Sequence, residues 1–244
     1  MTAHVLGAAL EADLATERAR IRAEYARREL EVPADLWAPW QPAASFLVGR
    51  RRALAARLLH ERAVFPRAGD RCLEVGCGSV GWLGELISWG LGESDLAGID
   101  LEPRRLARAR RALPGADLVL GDAAALPWAS GRFALVIAST VLSSVHSLAM
   151  RRAIAHEMAR VLRPDGAVLW YDLAISNPTN PGVQPVSRAE LLGLFPGFAA
   201  IVRRATLAAP LARRIVPWSE TAALVLEACP WLRTHWLAVL TRES

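Results

Sequence analysis

The 244-residue chain contains no lysine, and all 29 of its basic side chains are arginine. That absence excludes a Walker-type phosphate loop, a Schiff-base lysine and the Tyr/Lys pair of short-chain dehydrogenases. Cysteine is scarce. Cys72, Cys77 and Cys229 leave one thiol over in any pairing scheme, so a disulfide framework is not expected and a reducing, cytoplasmic setting is. No stretch reads as a membrane span. The uncharged run from Phe133 to Met150 holds four serines, a threonine and a histidine, and it reads as a buried strand entering a loop. No basic region leads into an apolar one at the start, so no secretory signal is expected. Histidines lack paired ligand spacing and there is no Cys-x-x-Cys, so no metal site is expected.

Apolar residues make up 53% of the chain, enough for a sizeable core. The net charge of +5 is spread along the sequence, which argues against a nucleic-acid partner. Arginines at 50–52, 203–204 and 213–214 read as solvated faces; inside a cavity they would favour an anionic acceptor.

Residues 10–30 carry Leu10, Leu14, Ile21 and Tyr25 at helical spacing, a strip that needs a covering partner. A connector at 31–44 has three prolines with Trp37 and Trp40, and a second helix follows over 43–64. These elements make an N-terminal extension, residues 1–65, ahead of a main domain at 66–244. In that domain short strands alternate with helices. Strands are expected at Arg71–Val75, Asp95–Ile99, Ala116–Leu120, Phe133–Ala138 and Ala167–Tyr171. Helices are expected at Gly81–Trp89, Glu102–Leu113 and Met150–Leu162. The last is stopped by Arg163–Pro164–Asp165–Gly166. The alternation predicts an α/β fold, a mostly parallel sheet covered on both faces. Beyond Asp172 it breaks into a long loop at 173–186. A capping box at Ser187 and Glu190 then starts a helix to Leu194. Strands near the sheet edge are expected at Ala199–Ala208 and His235–Leu240, with a helix over about 220–228 between them.

The segment Leu73–Glu74–Val75–Gly76–Cys77–Gly78–Ser79–Val80–Gly81 joins the first strand to the first helix. Its glycines allow a sharp turn and a close approach to a ligand. Asp100 ends the second strand, where a carboxylate can accept both hydroxyls of a ribose. The pair describes a nucleoside-containing cofactor across the carboxyl ends of the strands. Gly76, Gly78 and Gly81 satisfy the dinucleotide pattern G-x-G-x-x-G. Glu74 fits a pyrophosphate poorly, since it would repel one.

Leu73-Glu-Val-Gly-Cys-Gly78 resembles motif I of the class I S-adenosylmethionine-dependent methyltransferases. Ala97-Gly-Ile-Asp-Leu-Glu-Pro103 resembles the family's second strand and ribose-binding acid. Gly121-Asp-Ala-Ala-Ala-Leu-Pro127 resembles its adenine-gripping loop, and Val161-Leu-Arg-Pro-Asp-Gly166 the turn before its fifth strand. The likeness covers about 70–172. It implies a Rossmann-like sheet of seven strands, the last antiparallel, and S-adenosyl-L-methionine as cofactor. By the same resemblance Glu74, Gly76, Cys77 and Gly78 line the methionine and sugar end. Asp100 holds the ribose and Leu101 presses on adenine. Asp122 and the Ala123 N–H meet the adenine edge, while Ser139 and Thr140 border the methyl end. The family often has glycine where Val80 stands.

Methyl transfer from a sulfonium needs alignment and exclusion of water, with a base only where the acceptor arrives protonated. Candidate catalytic groups are His146, after the fourth strand, and Tyr171 and Asp172, which close the fifth. Ser139-Thr-Val-Leu142 replaces the Asp/Asn-Pro-Pro-Tyr of amino-methylating DNA enzymes. As a whole the chain resembles bacterial small-molecule methyltransferases of secondary metabolism. A small organic acceptor is expected, with oxygen the favoured atom for methylation and nitrogen or carbon open, by a monomer or homodimer. The alternatives are an RNA or tRNA methyltransferase and an NAD-dependent oxidoreductase. Trp37 and Trp40 have two readings, a lid over the cofactor mouth and an anchor for the N-terminal helices.

Overall fold

Seven apolar runs form the strands of one sheet in a computed structural model, which describes residues 2–33, 35–177 and 180–243, with side chains from residue 11 onward. They are β1 (Cys72–Val75), β2 (Leu96–Asp100), β3 (Asp117–Leu120), β4 (Phe133–Ser139), β5 (Leu162–Leu173), β6 (Phe198–Leu207) and β7 (Arg233–Arg242). Their order is β3-β2-β1-β4-β5-β7-β6. Every pairing is parallel except those of β7, which runs antiparallel to both β5 and β6.

The central strands β1, β2 and β4 are buried along almost their whole length because helices cover both faces. Successive side chains point to opposite sides. On one side Leu73, Val75, Val136, Ala138, Val168 and Trp170 pack beneath α5 (Leu148–Val161) and α6 (Arg188–Leu194). On the other, Cys72, Leu135, Ile137, Leu169 and Tyr171 pack beneath α2 (Pro42–Glu61), α3 (Leu83–Ser88) and α4 (Pro103–Ala112). A third cluster joins the start of α2 to α7 (Ala209–Ile215) and α8 (Glu220–Ala228). The serines before helices act as caps: Ser147 accepts from Met150 N–H, Ser187 from Glu190 N–H and Ser219 from Ala222 N–H.

The two late strands do lie near one edge of the sheet, β6 as the edge itself and β7 just inside it, with Leu237–Leu240 fully buried. Other expectations need correction. The box at Ser187 is half formed, since the Glu190 carboxylate pairs with Arg151 at 2.5 Å instead of turning back. The turn at Arg163–Gly166 lies inside β5 as a bulge, where Phe133 faces Leu162 and Leu135 already faces Ala167. Helix α7 was unforeseen; seven residues opening on Ala-Pro give little periodicity.

The N-terminal strip finds its partner in the loop ahead of α5. Helix α1 (Thr2–Glu31) is anchored by Glu17, whose buried carboxylate accepts from His146 N–H and pairs with Arg20. Asp13 takes the Ser147 hydroxyl at 2.7 Å. Leu14, Ile21 and Tyr25 pack on the α5-side core, while Leu10 lies outside the described side chains. Burial alone would raise the Glu17 pKa. The Arg20 bonds and the His146 and Ser147 amides outweigh it and hold the group at about 2. A carboxylate depressed in this way stabilises the fold above its unfolded value and loses that effect as pH falls from about 4.5 to about 2. Glu17→Gln is therefore expected to melt below the wild type at pH 7. The gap should close progressively below about pH 4.5 in thermal melts, and a gap that does not vary with pH would show that the charge is not what anchors α1.

Candidate cofactor and active site

The ends of β1 and β2 meet at a sharp turn. Gly76 and Gly78 have φ of +67° and +59°, the left-handed region that glycine enters without strain. Gly76 and Cys77 N–H both donate to the Ile99 carbonyl, at 2.8 and 3.1 Å. Asp100 locks the turn from β2. One carboxylate oxygen accepts from Gly78 N–H at 2.7 Å and the other from Glu102 N–H at 2.9 Å. A carboxylate has about four acceptor directions, so each oxygen keeps one for a ligand hydroxyl.

A cavity of about 550 Å³, including its open mouth, lies beside this turn. Five residues singled out in the sequence line it: Gly76, Asp100, Leu101, Asp122 and Ala123. Asp122 accepts from Ala124 N–H at 2.8 Å and from Arg18 of α1 at 2.8 Å. The donor set, the left-handed glycine turn and the apolar walls fit the adenosine part of S-adenosylmethionine.

The remaining wall comes from elements whose role was not read in advance. Ile21 and Tyr25 of α1 close one side, Val141, Ser144 and Val145 another, and Met150 and Ile154 of α5 a third. The signal for α1 was present, because Ile21 and Tyr25 belong to the strip that needed a partner. Nothing in the sequence foretold Arg18. The Arg105 guanidinium sits over the Tyr25 ring at 4.8 Å and against the face of Gly78, where any side chain on that residue would strike it.

Other expected site residues are placed differently. Glu74 does not line the cavity. It is buried under the turn, accepting from Trp82 N–H at 2.7 Å and Leu83 N–H at 3.1 Å. The Cys77 thiol faces Gly98 beneath the turn, and burial pushes its pKa up. Ser139 and Thr140 end β4 just short of the lining residues. Thr140 holds a φ of +56°, costly for a β-branched residue, and its carbonyl accepts the Ser144 hydroxyl at 3.1 Å. His146 lies on the seam between α1 and α5, its Nε2 buried and without a hydrogen-bond partner. Tyr171 is a correction, because it points to the face away from the cavity. Its hydroxyl bonds Thr206 at 2.8 Å and its ring stacks on His235 at 4.7 Å, with burial pushing its pKa to about 12. Asp172 is a second correction. It is fully buried, with a pKa raised to about 6 by burial, and accepts from Ser143 and Leu173 N–H groups at 3.1 and 2.9 Å. It pins the segment carrying Ser144 and does not reach the cavity. Trp37 and Trp40 do not line it either; Trp37 lies under Arg213 of α7 at 5.4 Å. The Asn177–Gly182 segment includes Pro178 and Thr179, which lie outside the described residues.

Comparison with known proteins agrees with this geometry. Residues 72–166 match the methyltransferase domain family. A phthiotriol/phenolphthiotriol dimycocerosates methyltransferase of Mycobacterium leprae is 36% identical over 134 residues, covering 51% of this chain and 48% of that protein. A demethylmenaquinone methyltransferase of Mycolicibacterium vanbaalenii is 36% identical over 123 residues, covering 48% of this chain and 51% of its own. The chain thus spans about half the length of the curated relatives it matches. Among solved structures, a TehB-like SAM-dependent methyltransferase of Corynebacterium glutamicum superposes with a TM-score of 0.52 at 20% identity, over 78% of this chain and 87% of that one. Geranyl diphosphate C-methyltransferase of Streptomyces coelicolor gives 0.56 at 13% identity, over 77% and 76%. At such identities these two establish the fold alone. The fold is that of the class I S-adenosylmethionine-dependent methyltransferases, and within it the chain resembles the bacterial small-molecule enzymes.

Glu74 offers a test of this electrostatic arrangement. Burial raises its pKa to about 8, against the two amide bonds that favour its charge. An acid raised in this way costs stability as pH climbs from its unfolded value, about 4.5, to about 8. Glu74→Gln keeps an acceptor for both amides and cannot ionise. In the free protein it is expected to melt a few °C above the wild type at pH 9 and to converge with it below about pH 4.5. Equal melting at pH 9 would mean that Glu74 is comfortably ionised where it sits.

Proposed function

We propose that the protein transfers a methyl group from S-adenosylmethionine to a small organic acceptor, at oxygen. The observation that carries the reading is the convergence of Gly76, Asp100, Leu101, Asp122 and Ala123 on one cavity at the carboxyl end of the sheet. The cofactor, when bound, supplies a methyl group already activated on a sulfonium. The chain's own residues then bind, orient and exclude water. The turn at Gly76 lets the backbone approach the ligand, Asp100 offers its free acceptor directions to the ribose hydroxyls, and Leu101 supplies an apolar surface for the base. Asp122 and the Ala123 N–H complement the adenine edge. The N-terminal extension, residues 1–65, contributes α1 as the cover, with Ile21 and Tyr25 keeping water out on that side.

Proximity and alignment can supply much of the rate of such a transfer. His146 is the candidate proton acceptor: its Nε2 is buried without a hydrogen-bond partner behind the cavity wall, next to the lining residue Val145, so the role requires the α1 seam to open toward the acceptor. Relatives named for phthiotriol/phenolphthiotriol dimycocerosates and for demethylmenaquinone support an organic small-molecule acceptor. The dinucleotide reading loses its main support at Glu74. The Trp82 and Leu83 N–H groups that would meet a pyrophosphate at the head of α3 are already taken by that carboxylate. Three free thiols, two of them buried, fit a reducing cytoplasm.

Calorimetric titration with S-adenosylhomocysteine is expected to show micromolar binding, with none for NAD. Asp100→Ala should weaken it about 10- to 100-fold, in line with about 1.5–3 kcal/mol for lost charge-assisted bonds. Unchanged affinity would remove Asp100 from the ribose. His146→Ala should lower turnover and flatten the acidic limb of the pH–rate profile while leaving cofactor affinity nearly intact; an unaltered rate and profile would make His146 a structural residue of the α1 seam.

A further inference from the structure

Helix α8 presents the wrong face to water for a helix of a closed globule. Its buried side is Ala223 and Glu227, the latter held by Arg50 at 2.5 Å. Its outer side is Thr221, Leu224, Val225 and Ala228, a stripe at spacings of three and four with no charge in it. Two indoles bracket the stripe, Trp218 at 89% exposure and Trp231 at 87%. Between Pro217 and Leu232 the charged residues are Glu220 and the buried Glu227. The neighbouring α7 adds two exposed cations, Arg213 and Arg214, the first lying over Trp37.

We propose that this α7–α8 surface docks the protein on an anionic lipid bilayer. Three features select that occupant. Tryptophan is favoured at the boundary between headgroups and acyl chains, where its ring is buried and its N–H stays wet. An apolar helical face flanked by arginine is the pattern of helices that lie in that boundary, and arginines beside it complement anionic headgroups. A nine-residue helix is about 13 Å long and about 10 Å wide, far short of the roughly 800 Å² per partner of a stable protein interface.

The placement gives the surface a use. Helices α7 and α8 fill the connection from the end of β6 to the start of β7. Because β6 and β5 both run antiparallel to β7, that connection leaves from the carboxyl end of the sheet, the end at which the cavity residues Gly76 and Asp100 also stand. A protein seated there would hold its catalytic rim toward the bilayer and meet amphiphilic acceptors at their own interface. That use rests on the methyl-transfer reading; the docking itself does not. Nor does the docking conflict with the absence of a span, since among the described residues no helix is long and apolar enough to cross a membrane.

The test is co-sedimentation of the full chain with phosphatidylcholine vesicles, with and without about 30% phosphatidylglycerol. Anionic lipid sites of this kind are screened by salt. Binding to the anionic vesicles only is expected, with a blue shift of tryptophan emission and loss of most bound protein on going from about 0.05 to about 0.5 M salt. Val225→Glu and Trp218→Ser, both at exposed positions, should each lower the vesicle affinity at least tenfold. Their S-adenosylhomocysteine affinity by calorimetry should stay at the wild-type value, which separates this result from the fate of the methyl-transfer reading. Failure of the wild type to bind anionic vesicles overturns the proposal, as does binding that Val225→Glu leaves intact. A concentration-dependent dimer in sedimentation velocity that Val225→Glu abolishes also overturns it and gives the face to a second copy of the chain.

Discussion

Asp100 is the point at which the sheet and the cavity become one object. Its two oxygens tie the amide of Gly78, in the turn after β1, to the amide of Glu102, at the head of α4. Without those bonds the turn would carry unsatisfied amides at the floor of a cavity, and the parallel pairing of β1 with β2 would end in a frayed loop. A charged acceptor holding two backbone donors is worth more than neutral bonds, and its spare lone pairs face the same space. The carboxylate that organises the turn is thus also part of the cavity wall. Removal of its charge perturbs the turn and the wall together.

The neighbouring acid has the opposite character. Glu74 stands in β1 just before the glycine turn, wholly buried, and burial disfavours its charge. The contrast arises from backbone placement, since one carboxyl follows its strand into the cavity and the other is tucked under it against α3. Asp172 repeats the second pattern at β5, its buried carboxyl holding the Ser143 amide and so the position of Ser144 on the cavity wall. Two of the three acids at the strand ends therefore act on backbone alone, and their contribution to chemistry is to fix what lies next to them.

Strand alternation, the glycine turn and the acid after β2 could all be read from residues 70–172, because each leaves a local mark: an apolar run, a left-handed glycine, a carboxylate at a strand end. The cavity floor was legible for the same reason. Its roof was not. Ile21, Tyr25 and Arg18 are more than 50 residues from Gly76 and join it only through the docking of α1, which rests on Glu17 meeting two backbone amides. Backbone partners have no sequence signature. Tyr171 misled for a related reason: position along β5 gave its height in the sheet, and one residue of register decided which face it took. The last two strands were legible as lying near an edge, but their order, with β7 inside β6, is a long-range property that local composition does not carry.

The pairing of Arg18 with Asp122 has a thermodynamic corollary. Asp122 lines the cavity and Arg18 belongs to α1, so one ion pair ties the covering helix to a residue of the cavity wall. Any nucleoside amine that takes the Asp122 oxygen from Arg18 loosens a fastening of α1, and by reciprocity whatever fastens α1 more firmly weakens the grip on that amine. For a ligand that does compete with Arg18 for Asp122, occupancy of the cavity and detachment of its cover become linked quantities of a single equilibrium.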